Sequence, residues 1–225
     1  MEKELKIVDT ADGSKTIWNP QIGEHYHSRH GALQESRHVF LHSGLKFFQE
    51  RNHADKINLL EVGFGTGLNF LLSAEYCIQN SIHLNYTGIE AYPLGTALIK
   101  QTGYEQFVEK GVWDSFIIAY QDALTNSAAI TEYCDLNIQE TKLENFESHQ
   151  YFDIIYFDAF ASVHQPEMWT EESLARCCKY LSPGGVFVTY AITGNLKRAM
   201  KALGFNIEKA PGAPGKREML RAILK

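Results

Sequence analysis

Three acidic residues of this 225-residue chain stand where a carboxylate can do chemistry: Glu61, Glu90 and Asp158. Glu61 comes two residues before a run of alternate glycines, Gly63, Gly65 and Gly67. Glycines so spaced let the backbone turn tightly and approach a ligand closely. The position three after Gly65 is Leu68, so the run is not the G-x-G-x-x-G of dinucleotide sites. A pyrophosphate sits on bare backbone donors at a helix N-terminus, where a carboxylate would repel it. Glu61 suits a methionine-type amine instead. The stretch therefore reads as an S-adenosylmethionine pocket, with Glu61 on the amine and Gly63, Gly65 and Gly67 against the cofactor; a glycine-rich turn with no ligand is the alternative. Glu90 ends a second strand 29 positions later, where a carboxylate accepts from both ribose hydroxyls. Asp158 ends the strongest later strand, Tyr151 to Phe157, and is placed like a catalytic acid, since ligands of open parallel sheets gather at carboxyl strand ends. Glu140, closing a third short strand, is a candidate for the adenine amino group, with Asp122 as its rival.

The elements that must carry these residues follow from apolar patterning. Ile57, Leu59, Leu60 and Val62 form the short apolar run of a buried parallel strand, and Asn69 to Tyr76 has helical composition. Leu84–Glu90 and Cys134–Gln139 read as further strands. Leu94–Gln101, Tyr104–Lys110 and Ala123–Thr131 read as helices. Thr170 caps a helix to about Tyr180, with Glu171 and Glu172 in its first turn. Leu181–Gly185 is a turn, Val186–Tyr190 a strand, Asn195–Leu203 a helix, and Phe205–Lys209 with Glu218–Leu224 a final antiparallel pair. Before the glycine strand, Leu5–Val8 and Thr16–Trp18 flank Asp12-Gly13-Ser14 as a β-hairpin, and Gln34 to Phe48 looks helical. The expected organisation is an extension over residues 1–50 packed on a main domain over residues 51–225.

Composition narrows the function classes. The chain is 44% apolar and 21% charged, as in globular proteins. It has no apolar run long enough to span a membrane, and Met1–Lys6 is too polar for a signal peptide, so a cytoplasmic protein is expected. Cys77, Cys134, Cys177 and Cys178 form no C-x-x-C, which suggests reduced thiols rather than zinc ligands or disulfides. Four of the nine histidines lie between His25 and His38. They lack the H-x-x-x-H spacing with an acidic partner, so they read as a polar loop near a pocket and no metal is expected. Net charge is -6, yet Asn195 to Lys225 holds eight basic and two acidic residues. A basic face on an acidic body is what local phosphate binding requires; a solvated surface would look the same.

The glycine strand, the acidic strand ends and the Leu-Ser-Pro-Gly-Gly-Val-Phe-Val-Thr segment are similar to class I S-adenosylmethionine-dependent methyltransferases, over roughly residues 57–225. More closely, the chain resembles the methyltransferase part of the MnmC family, which modifies the wobble uridine of certain tRNAs. The matching pieces are Gly23–Ser28 with Gly31, Glu35 and Val39–Leu41, then Glu61–Phe70, Glu90–Pro93, Phe157–Ala161, Pro166–Trp169 and Gly215–Leu220. Ser162 and Gln165 stand where relatives often have Pro and Asn.

The resemblance implies an α/β, Rossmann-like fold, with a mostly parallel sheet, a C-terminal antiparallel strand and the N-terminal hairpin and helix. It implies methyl transfer to 5-aminomethyl-2-thiouridine of tRNA by a stand-alone methyltransferase. A separate flavin-dependent oxidoreductase, or other wobble-modifying enzymes, would then be its partners. Tyr26, Ser28, Met168 and Trp169 would line the substrate side, although Trp169 equally suits a core or lid. Lys216 and Arg217 would contact phosphate. Asp158, with an ordinary carboxylate pKa near ~3.9, would be a poor base for an amine near ~10, and is expected to aim the amine through a hydrogen bond. Two alternatives share the fold: a small-amine methyltransferase or aminopropyltransferase, and a non-catalytic module that binds RNA or a partner.

Overall fold

Ile57, Leu59, Leu60 and Val62 are each at most 1% exposed because their strand, β4 (Lys56–Val62), is covered on both faces. It lies inside an eight-stranded sheet in the computed structural model, which describes residues 4–225. Met1–Lys3, part of the polar start read above, lie outside the described residues. β4 pairs in parallel with β5 (His83–Glu90) on one side and with β8 (Phe152–Phe157) on the other. The chain order therefore reverses at β4, and the carboxyl ends of β4, β5 and β8 face one crevice.

The rest of the sheet extends both ways from this switch point. Beyond β5 come β7 (Cys134–Glu140) in parallel and β6 (Ala128–Thr131) antiparallel. Beyond β8 come β9 (Leu181–Thr189), β11 (Glu218–Leu224) and the edge strand β10 (Phe205–Pro211). β11 runs antiparallel to both of its neighbours. The fold is thus the expected Rossmann-like α/β sheet with a C-terminal antiparallel strand, plus a second antiparallel pairing at the opposite edge.

The N-terminal hairpin is present as β1 (Lys6–Asp9) and β2 (Lys15–Asn19), and gains a short third strand, β3 (Glu24–His25). The following helical stretch runs through Ala32–Glu35, Ser36–Lys46 and Phe47–Asn52, its middle part with the wider π-type bonding. Ile17, Val39 and Phe40 share one apolar cluster with Leu59 and Phe70, so the N-terminal hairpin, the helical stretch and the sheet are built on a common core.

Two stretches depart from their expected elements: Leu181–Gly185, expected as a turn, is the start of strand β9, and residues 104–131 divide differently. Tyr104–Gln106 is a single turn, the long helix is Lys110–Ala123, and Ala128–Thr131 is a strand. Val112, Trp113, Phe116 and Tyr120 repeat at helical spacing and are buried, whereas Ala128 and Ile130 alternate with outward residues in a strand that pairs with β7 through Ala128, Ala129 and Thr131. Tertiary pairing overrides the helical preference of the alanines there.

Candidate active site

The crevice at the switch point is a cleft of about 990 Å³, at the upper end of the ~300–1,000 Å³ common for small-molecule sites. At its floor the chain leaves β4 through Gly63 (φ 89°). A Cβ there would lie 2.5 Å from the Asp158 carbonyl oxygen, so glycine is what lets β4 and β8 release their chains side by side. Gly65 also lines the cleft. Gly67 does not: with φ 78° it starts α2, the helix Leu68–Gln79, and its α-carbon faces Phe116 and Phe64 in the core. Expected against the cofactor, it forms the turn that launches the helix.

Glu61, expected on the methionine amine, is likewise outside the cleft lining. Its carboxylate is fully buried behind the floor and is held by two side chains. Asn69 Nδ2 donates to Oε1 at 2.8 Å and the Tyr86 hydroxyl donates to Oε2 at 2.7 Å. The same Asn69 Nδ2 donates to Asp158 Oδ2 at 2.9 Å. One amide thus joins the two carboxylates, and only Asp158 reaches the cleft. Burial first and the Asp158 charge second hold Glu61 well above the usual carboxylate range. Burial first, then the Glu35 charge, push Asp158 up to about 8, while the Asn69 hydrogen bond and the Lys216 charge pull the other way.

Glu90 lines the cleft with its oxygens fixed by backbone donors, Gly65 N–H on Oε2 at 2.9 Å and Tyr92 N–H on Oε1 at 3.0 Å. Each oxygen keeps a lone pair for another donor. Glu140 is exposed and outside the cleft, although its neighbours Thr141 to Glu144 line it. Asp122 is exposed on its helix and also lies outside. Neither carboxylate is part of the cleft lining.

The N-terminal segment supplies a wall through Glu24, Tyr26, His27, Ser28 and Glu35. The Tyr26 ring meets Phe160 edge-on at 5.2 Å. Glu35 is buried; its Oε1 accepts the Ser28 N–H and its Oε2 pairs with Lys216 Nζ at 2.7 Å. That ammonium also stands 3.9 Å from the centre of the Tyr190 ring. Lys216 therefore points into the cleft, not outward to a phosphate, whereas Arg217 is exposed and outside it.

Met168 lines the cleft; Trp169 braces it from behind. The indole N–H donates to the Phe160 carbonyl at 2.7 Å and the ring packs on Phe157 and Tyr190. Glu24 accepts the Ala161 N–H and the Tyr190 hydroxyl donates to the Ala159 carbonyl. Three anchors thus pin the loop that follows Asp158.

Asn69, Glu24 and Tyr190 are functional candidates that pattern reading passed over. Asn69 left one usable signal, a polar residue in the otherwise apolar Leu68–Leu72. Glu24 stood in the family-like piece Gly23–Ser28 with no role read from it, and Tyr190, which reaches the cleft from a distant strand end, left none.

The sequence profile of a family described as S-adenosyl-L-methionine-dependent methyltransferase matches residues 110–225, just over half of the chain. The chain belongs to this family. The methyltransferase is 29% identical, over 97% of its length, to the tRNA 5-methylaminomethyl-2-thiouridine biosynthesis bifunctional protein MnmC of Magnetococcus marinus. It is 30% identical, over 87% of its length, to the protein of that name from Leptospira borgpetersenii. It spans about a third of each, 34% and 31%. In structure it is similar to MnmC2 of Aquifex aeolicus, with a TM-score of 0.77 at 23% identity, covering all of this chain and 72% of that one.

The methyltransferase cleft fits S-adenosylmethionine. Glu90 has lone pairs for a ribose diol, and Gly63 and Gly65 present backbone without side chains. When bound, this cofactor supplies an electrophilic methyl group on a sulfonium. Among the described residues no helix is long and apolar enough to cross a membrane.

Proposed function

We propose that the chain methylates the amine of 5-aminomethyl-2-thiouridine at the wobble position of tRNA, giving 5-methylaminomethyl-2-thiouridine. The observation that carries this reading is Asp158, at the floor of the cleft, raised to about 8 and bridged by Asn69 to Glu61. The printed name of the MnmC relatives supports the choice of nucleoside.

The acceptor amine has an ordinary pKa near ~10 and must be neutral to attack. Moving its proton to a carboxylate near 8 is uphill by about 3 kcal/mol, against about 8 kcal/mol for an ordinary aspartate. The raised pKa makes the ionised form of Asp158 a competent proton acceptor, beyond the aiming role expected from an ordinary carboxylate, and that form grows as pH rises toward 8. Oδ2 is held by Asn69, and Oδ1 takes the amine's N–H and then its proton. Glu35 and Glu24 add negative charge that draws an ammonium inward. Glu90 holds the ribose, Gly63 and Gly65 lie along the cofactor, and Tyr26, Ser28 and Met168 flank the nucleoside. Arg217 remains a phosphate contact at the rim.

The enzyme acts in the cytoplasm, on amines exposed by a flavin-dependent oxidoreductase activity. Nucleoside analysis of tRNA from a deletion strain tests the reading: 5-aminomethyl-2-thiouridine should accumulate and its methylated form should disappear. Unchanged nucleosides would end it. The same acidic wall would also attract a small polyamine, so a small-amine methyltransferase or aminopropyltransferase is the second reading. Turnover on such a substrate would depend far less on salt than turnover on tRNA.

A further inference from the structure

Lys197, Arg198, Lys201 and Lys209, with Gly194 and Ile207, line a groove of about 500 Å³ separate from the cleft. The three helical cations come from α6 (Gly194–Ala202), and Lys209 from the edge strand β10. The inner face of α6 buries Leu196, Ala199 and Met200, so the cations occupy the opposite, outer face. Lys197 and Lys201 are four residues apart, a like-charge pair that weakens a helix. No carboxylate lies within ion-pair distance of Lys197, Arg198 or Lys201 among the described residues, and Lys209 has only Glu218 at 3.8 Å on the surface. Four cations thus share one concavity on a chain whose net charge is -6.

Its position is informative. Tyr190 lines the cleft, and α6 begins four residues later at Gly194. In the sheet Lys209 stands opposite Leu220, which stands opposite Thr189, the last residue of β9. The Gly194 and Lys209 end of the groove therefore lies at the same end of the sheet as the cleft. Lys216, expected to meet phosphate, is instead turned inward onto Glu35.

We infer that this groove is the track for the sugar-phosphate backbone of the tRNA while the wobble nucleoside occupies the cleft, an inference that rests on the tRNA reading above. Phosphate binding by lysine and arginine releases counterions, so its mark is a linear fall of log affinity with log salt.

The test compares the full chain with its Lys197→Ala, Arg198→Ala, Lys201→Ala, Lys209→Ala variant. Binding of a tRNA carrying 5-aminomethyl-2-thiouridine is titrated between 50 and 200 mM salt. The salt slope should flatten by about 3 for four lost contacts, and affinity at the lowest salt should fall at least tenfold. S-adenosylmethionine affinity, measured by calorimetry, reports folding. Lys56→Ala, at the amino end of β4 and far from the cleft mouth, should keep the parental slope. If the fourfold variant does not fold, the exposed single variant Lys201→Glu carries the test, with a flattening of about 1 expected. A parental slope in a folded variant overturns the groove and leaves the tRNA reading standing. A parent protein that binds this tRNA without salt dependence overturns both.

Discussion

Asn69 holds Asp158 through a 2.9 Å hydrogen bond, and the same amide nitrogen holds Glu61 at 2.8 Å. The glycine-strand carboxylate therefore acts on the cleft at one remove, by fixing the side chain that fixes the carboxylate at the floor.

Asn69→Leu keeps the branched shape and removes the bridge. It strands acceptor oxygens on Glu61 and Asp158, which should cost about 1–3 kcal/mol of stability. Because the Asn69 hydrogen bond lowers the Asp158 pKa, its loss should move the acidic limb of the pH–rate profile to higher pH. A lower melting temperature with an unmoved limb would make Asn69 a packing residue only.

Asp158→Asn should slow methyl transfer at least tenfold at neutral pH, about 1.4 kcal/mol of transition-state stabilisation, with S-adenosylmethionine affinity nearly intact. Single-turnover assays read this directly, and a variant as fast as the parent would remove Asp158 from the mechanism.

The same variant should change stability in the opposite sense. The folded carboxyl titrates near 8 against an ordinary 3.8, so the folded state binds more protons between these values and the parent loses stability as pH rises through them. Asp158→Asn lacks this loss. It should be more stable than the parent by about 1–3 kcal/mol at pH 8, a range discounted for water in the cleft, and show no such gain below pH ~4. Denaturant melts at both pH values check it.

Glu90→Ala should weaken S-adenosylmethionine binding by about 1–3 kcal/mol. It removes the acceptor offered to the ribose and also frees the Gly65 and Tyr92 amides that the carboxylate holds. Calorimetry on the folded variant decides, and unchanged affinity would vacate the ribose assignment.

Lys216→Gln should leave the salt slope of tRNA binding nearly unchanged, because the ammonium is engaged with Glu35 and the Tyr190 ring. Its charge lowers the Asp158 pKa, so the acidic limb should move upward in the variant. A slope reduced by about 1 would restore the phosphate contact expected from the sequence.

Local pattern alone determined the central strands, the glycine turn, Glu90 and Asp158 at carboxyl strand ends, and the closing antiparallel strands. Each follows from a run of apolar residues, a turn residue and a carboxylate within a few positions of one another, which is information a short window holds. The window could not say which way a buried carboxylate faces. Glu61 and Asp158 look alike as strand-end acids, yet Asn69 and Tyr86 close over one while the cleft opens over the other. Nor could it place Glu140, whose strand end is exposed, or send Lys216 inward. Glu35 and Lys216 are 181 positions apart; only the folding of the N-terminal segment onto the sheet makes them an ion pair. The grouping of α6 cations with Lys209 likewise depends on the register of β10, β11 and β9. Side-chain direction and long-range charge pairing are properties of packing, so they were decided when the helices and strands met.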